Sequence, residues 1–272
     1  MLFINDFSLN RKRIIISLFS FFICCLSFLE AKVHFKNHFE SLLDYVTSQT
    51  LVVLDIDDTL LVPKQMLGTD AWFLYRLKMY LDEGLSKNVA LDKALSEWEA
   101  IRHLTKVCLI EENIPEIIEQ LQNRGVTVMG LTTQGLALAT HTVNQLKSLE
   151  IDLSRTAPSK SDYYFQNGHG VLYRDGILFT SGTHKGKAFL QLLDHCELSP
   201  SHVLFINDKA THIAELEKSV TERDILFTGI RYGFSDERIA NFNPDIANIQ
   251  WNYSSFGHIL SDDEARIILE SQ

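Results

Sequence analysis

Asp55-Ile56-Asp57-Asp58-Thr59 places three carboxylates within four residues, directly after the apolar run Leu51-Val52-Val53-Leu54. Carboxylates this close repel one another and are costly unless a cation neutralises them, so the stretch reads as a hard-metal and nucleophile site. One carboxylate in such a site can attack phosphorus and split a difficult hydrolysis into two easier steps. A second can deliver and recover a proton. A calcium loop of the EF-hand type needs Gly at its sixth position and Glu at its twelfth. Here those positions hold Leu60 and Met66, and a strand rather than a helix comes before.

The elements that must position these groups can be read from apolar spacing. Leu51 to Leu54 is too short for a helix and reads as a strand buried on both faces, the mark of a parallel sheet. Val126 to Leu131, Val203 to Ile206 and, less sharply, Ile225 to Phe227 repeat it. Ile114, Ile117, Ile118 and Leu121 give helical spacing over 114–123, with Arg124-Gly125 as a stop. Residues 136–149 and 185–194 carry the same period. Strand and helix in alternation predict a doubly wound α/β fold. Two stretches break the alternation. Residues 69–106 read as all-helical, with Ala71, Phe73, Leu74, Leu77 and Leu81 on one face, and predict an inserted helical cap over about 64–110. Residues 155–183, with Gln166-Asn167-Gly168 and Arg174-Asp175-Gly176 between aromatic-rich runs, predict a β-hairpin excursion. Ser261-Asp262-Asp263-Glu264 is a capping box ahead of a C-terminal helix.

With these elements in place the chain resembles the haloacid dehalogenase (HAD) superfamily, whose first motif is an apolar strand followed by DxDxT, met by Asp55 to Thr59. The second motif, a Ser or Thr closing a strand, is met by Gly130-Leu131-Thr132. The third, a Lys opening a helix, is met by Lys185-Gly186-Lys187, and the fourth, an acid after a strand, by Phe205-Ile206-Asn207-Asp208. Gly130-Leu131-Thr132-Thr133, Gly176 to Thr180 and Gly229-Ile230-Arg231-Tyr232 are similar to phrases of its uncharacterised bacterial DUF2608 branch. The resemblance implies a HAD-like Rossmannoid sheet, with the 32–272 region as the HAD-like domain, and a Mg²⁺-dependent phosphatase.

It also implies roles. Asp55 would be the nucleophile that becomes an aspartyl-phosphate, and one of its oxygens would bind Mg²⁺. Asp57 would be the general acid and base, with its backbone carbonyl on the metal. Thr132 and Lys185 would hold the phosphoryl oxygens, Lys185 also offsetting Asp55, and Asp208 would complete the metal shell. Lys187 is the alternative to Lys185. Thr132 could instead simply end a strand, and Asp208 could be a surface turn acid. Asp58 would lie outside the metal shell. Two departures stand out: Asn207 occupies a position that is commonly Asp, and Gln134 a position where many relatives have Arg. Trp72, Phe73, Tyr75 and Trp98 read as cap core rather than as substrate contacts.

Composition bounds the rest. Lys+Arg 25 against Asp+Glu 35 gives a net charge of -10, which argues against a nucleic-acid surface, and no polybasic tract marks a peripheral membrane protein. Arg11-Lys12-Arg13, the apolar run Ile14 to Leu29 and a cut after Ala31 read as an export signal over 1–31, or as an uncleaved signal anchor that would be the chain's only hold on a membrane. The protein is then periplasmic or secreted, with a small-molecule phosphomonoester as its partner. Beyond that segment only Cys108 and Cys196 remain, as one disulfide or two free thiols. His34 and His38, four apart, could share a helix face. A non-catalytic exported interaction protein on the same fold and a phosphotransferase are the alternative functions.

Overall fold

The structure, a computed structural model, describes residues 32–255 and 258–271. The export signal expected over 1–31 lies outside them. Ten strands and nine α-helices are present among the described residues, with two short 3₁₀ segments at Phe39–Tyr45 and Leu136–Leu138.

The central strand is β2 (Thr50–Leu54), buried along its whole length. It lies parallel between β5 (Thr127–Thr132) and β9 (His202–Asn207). Outward on one side come β10 (Leu226–Tyr232) and β1 (Lys32–Lys36), both parallel. On the other come β8 (Ile177–Phe179), parallel, then β7 (His169–Arg174) and β6 (Tyr163–Asn167), antiparallel.

Because successive strand residues point to opposite faces, β2 serves two cores. Val52 and Leu54 pack with Ile114, Ile118, Leu121 and Val128. Leu51 and Val53 pack with Met129, Phe189, Leu192, Phe205 and Ile213. The helices that close these faces are α3 (Ile114–Asn123) and α4 (Ala139–Ser148) on the first, and α5 (Lys185–His195) and α6 (Ala210–Thr221) on the second. This is a doubly wound α/β arrangement, as the alternation of strand and helix predicted.

A separate antiparallel pair, β3 (Leu61–Pro63) and β4 (Val107–Leu109), follows β2. Between its strands the chain runs out through α1 (Asp70–Asp82) and α2 (Lys87–Arg102). The helices occupy the stretch read as a cap, while its last residues form β4, a strand that apolar spacing alone did not separate from the insertion. Arg76 ties the two helices together, donating from Nε to Glu97 Oε2 at 2.7 Å. Trp72 and Trp98 are buried with Leu67, Leu138 and Ala247.

The 155–183 excursion is a three-stranded meander, β6 to β8, that extends the sheet. Its second turn, between the paired Arg174 and Ile177, holds Asp175 at φ 47° and Gly176 at φ 81°, the left-handed pair that a two-residue hairpin demands. Any Cβ at Gly176 would lie 2.3 Å from the Leu153 carbonyl oxygen.

The structure corrects or completes the sequence reading at several points. His34 lies in strand β1, so it shares no helix face with His38: its ring stacks on Tyr45 and His38 meets Glu111. Helix α6 was not recognised, nor were α7 (Asp236–Ala240) and α8 (Pro244–Tyr253). Helix α9 (Asp262–Glu270) does start at the capping box of Ser261 and Glu264. Cys108 and Cys196 are free thiols. No described helix is long and apolar enough to cross a membrane.

Candidate active site

In a doubly wound sheet the crevice opens where the chain reverses direction, at the carboxyl ends of the central strands. Asp55 stands at that end of β2, Thr132 closes β5, Asp208 follows β9 and Lys185 opens α5. The Asp55 backbone N–H donates to the Ile206 carbonyl at 3.1 Å, which fixes the β2 end against β9. Lys185 is 1% exposed and its Nζ reaches Asp55 Oδ1 at 2.5 Å and the Leu131 carbonyl at 3.2 Å. The ammonium is thereby threaded between the ends of β2 and β5. Lys187 lies on the exposed side of α5, and its backbone N–H is received by His184 Nδ1 at 3.3 Å.

The loop after β2 is wound tightly. The Ile56 carbonyl receives the N–H groups of Thr59, Leu60 and Leu61, and Asp58 takes φ 57°. Ser235 Oγ donates to the Asp58 carbonyl at 2.6 Å. This winding turns Asp57 and Asp58 to different surroundings. Asp57 Oδ2 accepts from Gln134 Nε2 at 2.7 Å. Gln134 is itself held at both ends: its Oε1 accepts from Thr142 Oγ1 at 2.5 Å, and its backbone N–H donates to Thr132 Oγ1 at 3.1 Å. Asp57 Oδ1 lies 2.8 Å from Nη2 of the buried Arg102, the last residue of α2. Burial pushes the Asp57 carboxyl up, with Arg102 and Gln134 pulling against it.

Asp208 is 5% exposed and its Oδ1 has no hydrogen-bond partner. Burial, then the charge of Asp55, pushes its carboxyl up to about 7. Burial and then Asp70 push Asp58 well above the carboxylate range. Asn207 Oδ1 accepts the Lys209 N–H at 2.7 Å, so the Asn departure serves the turn after β9. Lys209 pairs with Asp70, the first residue of α1. The pair raises the ammonium against the effect of burial and lowers the Asp70 carboxyl.

The five residues singled out in the sequence, Asp55, Asp57, Thr132, Lys185 and Asp208, therefore converge. Asp58, Asp70, Arg102 and Lys209 join them. Thr69-Asp70 carried a visible signal, a helix N-cap followed by an acid, and the Thr69 Oγ1 accepts from Trp72 N at 3.2 Å. Nothing local to Arg102 announced it.

Among the described residues no group of three or more His, Cys, Asp or Glu side chains could hold a metal ion unaided. What the cluster does show is a deficit of positive charge. Asp55, Asp57, Asp58, Asp70 and Asp208 are set against Arg102, Lys185 and Lys209, and three of the carboxyls, Asp57, Asp58 and Asp208, are pushed upward, by burial first and by neighbouring acids as well. An unpartnered buried carboxylate oxygen beside Asp55 fits an oxygen-ligating divalent cation.

The family model described as "Protein of unknown function (DUF2608)" matches residues 35–266. A Chlamydia pneumoniae protein named "Putative outer membrane protein" is 27% identical over 238 residues, covering 82% of this chain and 85% of its own. A HAD-superfamily hydrolase of subfamily IA from Geobacter sulfurreducens has 13% identity and a TM-score of 0.38, covering 70% of this chain and 95% of its own. A haloacid dehalogenase-like hydrolase from Streptococcus pneumoniae has 16% identity and a TM-score of 0.38, with 73% and 100% covered.

Proposed function

We propose that this chain, which belongs to the DUF2608 family, is an exported HAD-type phosphatase that hydrolyses a phosphomonoester with the help of Mg²⁺. The observation that carries the reading is the buried Asp55–Lys185 pair, 2.5 Å apart at the end of the central strand, with a second acid, Asp57, two residues further on.

Lys185 holds Asp55 by its Oδ1 at the strand end, and it offers its remaining N–H groups to the phosphoryl oxygens. Thr132 Oγ1, already receiving the Gln134 N–H, turns its own proton to the same oxygens. The Asp55 carboxylate attacks phosphorus in line: an oxygen–phosphorus bond to Asp55 forms as the bond to the ester oxygen breaks. Asp57 gives its proton to the leaving alkoxide. It then takes a proton from a water molecule, whose oxygen attacks phosphorus and releases Asp55 and inorganic phosphate. Mg²⁺ held by the carboxylates of Asp55 and Asp208 and the Asp57 carbonyl would supply the missing positive charge. The cap excludes water from the closed site and sets the size of the substrate.

Export is supported by Arg11-Lys12-Arg13 ahead of the apolar run to Leu29, and by the envelope names of the relatives. The test is hydrolysis of p-nitrophenyl phosphate by the purified full-length protein, with Mg²⁺ and with EDTA, beside Asp55→Asn. Metal-dependent turnover lost in the variant is the expected result. A folded wild-type protein that turns over no member of a broad phosphomonoester panel would overturn the reading.

A further inference from the structure

Neither Arg102 nor Lys209 has a task in the proposed chemistry, but Lys209 is paired with Asp70, and Arg102 is the one with donors left over. It is 1% exposed, yet Nε and Nη2 find no hydrogen-bond acceptor. Nη2 stands 2.8 Å from Asp57 Oδ1, near enough for an ion pair, but neither atom is satisfied as a hydrogen-bond partner. Nε and Nη2 form one edge of the guanidinium, the fork that matches the two oxygens of a carboxylate or phosphate. The plane is steadied from the side by Trp98, whose ring centroid lies 5.3 Å from Cζ. Nη2 has its ion pair with Asp57, but Nε is buried with no acceptor at all, which is costly, so a ligand that supplies one is favoured there.

The position of the fork says which part of a ligand it meets. An acid that protonates the leaving oxygen must lie within hydrogen-bond reach of it. Arg102 lies directly against that acid, on the cap side, while Lys185 and Thr132 lie on the phosphoryl side. An oxyanion a few bonds beyond the ester oxygen falls under the Arg102 edge.

We infer that Arg102 is a specificity-determining residue, and that the substrate is a phosphomonoester whose leaving fragment carries a second anionic group, carboxylate or phosphate, which Arg102 receives side-on. The inference rests on the phosphatase reading for the placement of the leaving group.

The test uses the full-length protein and three probes of matched length: 3-phosphooxypropanoate, propane-1,3-diyl bisphosphate and propyl phosphate. One or both anionic probes should exceed propyl phosphate in kcat/KM by at least about tenfold, and which one does identifies the anion. Arg102→Gln should collapse that ratio, mainly through KM, and Arg102→Lys should restore part of it, since a single ammonium keeps the charge but not the fork. Equal kcat/KM for all three probes overturns the inference and leaves the phosphatase intact. If nothing is turned over, binding of the same probes to Asp55→Asn decides. An anionic preference that Arg102→Gln removes would uphold the anion site while the hydrolase reading fails, and no preference would end both.

Discussion

Gln134 Nε2 donates to Asp57 Oδ2 at 2.7 Å while its Oε1 is held by Thr142, so the amide has one orientation and Asp57 has one as well. Gln134, read in the sequence as a departure, is thus built into the site. Gln134→Leu keeps the volume and removes both bonds, leaving two buried polar groups unsatisfied at a stability cost of about 1–3 kcal/mol.

The same substitution has a signed effect on pH dependence. The hydrogen bond from Gln134 pulls the Asp57 carboxyl down against burial. Its loss lets the carboxyl rise, so the step that needs Asp57 deprotonated requires a higher pH. The acid limb of the kcat profile should move to higher pH, with kcat at neutral pH lower by roughly 10–100-fold. Superimposable pH profiles for wild type and variant would show that Gln134 does not act through Asp57.

Gly186 follows Lys185 at the point where α5 meets α6. A Cβ there would sit 2.6 Å from Ser219 Cβ and 2.9 Å from the Glu215 carbonyl oxygen. Gly186→Ala must push the start of α5 outward and carry Lys185 off Asp55. It should cost about 1–3 kcal/mol by overpacking, and lower kcat more than a surface Gly→Ala of equal destabilisation. Urea unfolding and turnover on the same preparation separate the two effects.

What was legible in the sequence follows from locality. Leu51 to Leu54 and Val203 to Ile206 are buried on both faces, so their strands show as apolar runs without reference to anything else. The motif acids lie beside those runs, which is why their convergence could be foreseen. Strand β1 could have been read from Lys-Val-His-Phe-Lys, whose period is two, but only the four-residue spacing of His34 and His38 was weighed there, as a pair that could share a helix face. Arg102 and Asp70 belong to the cap, and their partners Asp57 and Lys209 are distant in sequence. No local rule points from one to the other, because only closure of the fold brings them together.

Lys209 lies among acids: Asp70 pairs with it, and Asp58 and Asp208 feel its charge. Removing the cation leaves several carboxylates uncompensated, whereas removing Asp70 leaves the cation other acids to face. Lys209→Met should therefore be more destabilising than Asp70→Asn. The coupling in a double-mutant cycle should be about 1 kcal/mol, since the Lys209 side chain is 37% exposed and partly screened. Mg²⁺ should recover part of the Lys209→Met loss. Equal costs for the two single variants would show that the pair is isolated from the acidic cluster.

Asp208 gives the last prediction its sign. Its carboxyl is pushed up to about 7 in the folded chain, against an ordinary 3.8, by burial and by Asp55. A carboxyl raised by folding binds its proton more tightly in the native state, so its contribution is fully present below about pH 4. It is lost as pH rises through 7. In EDTA, wild type should lose stability relative to Asp208→Asn across that interval, because the amide never has to ionise. A divalent cation reverses the ordering at neutral pH: it stabilises the charged carboxylate and finds a poorer ligand in the amide. Thermal midpoints of both proteins at pH 5 and 7.5, with EDTA and with Mg²⁺, check this. A wild type whose midpoint at pH 7.5 is indifferent to Mg²⁺ would mean that the carboxylates of Asp55 and Asp208 do not share a cation.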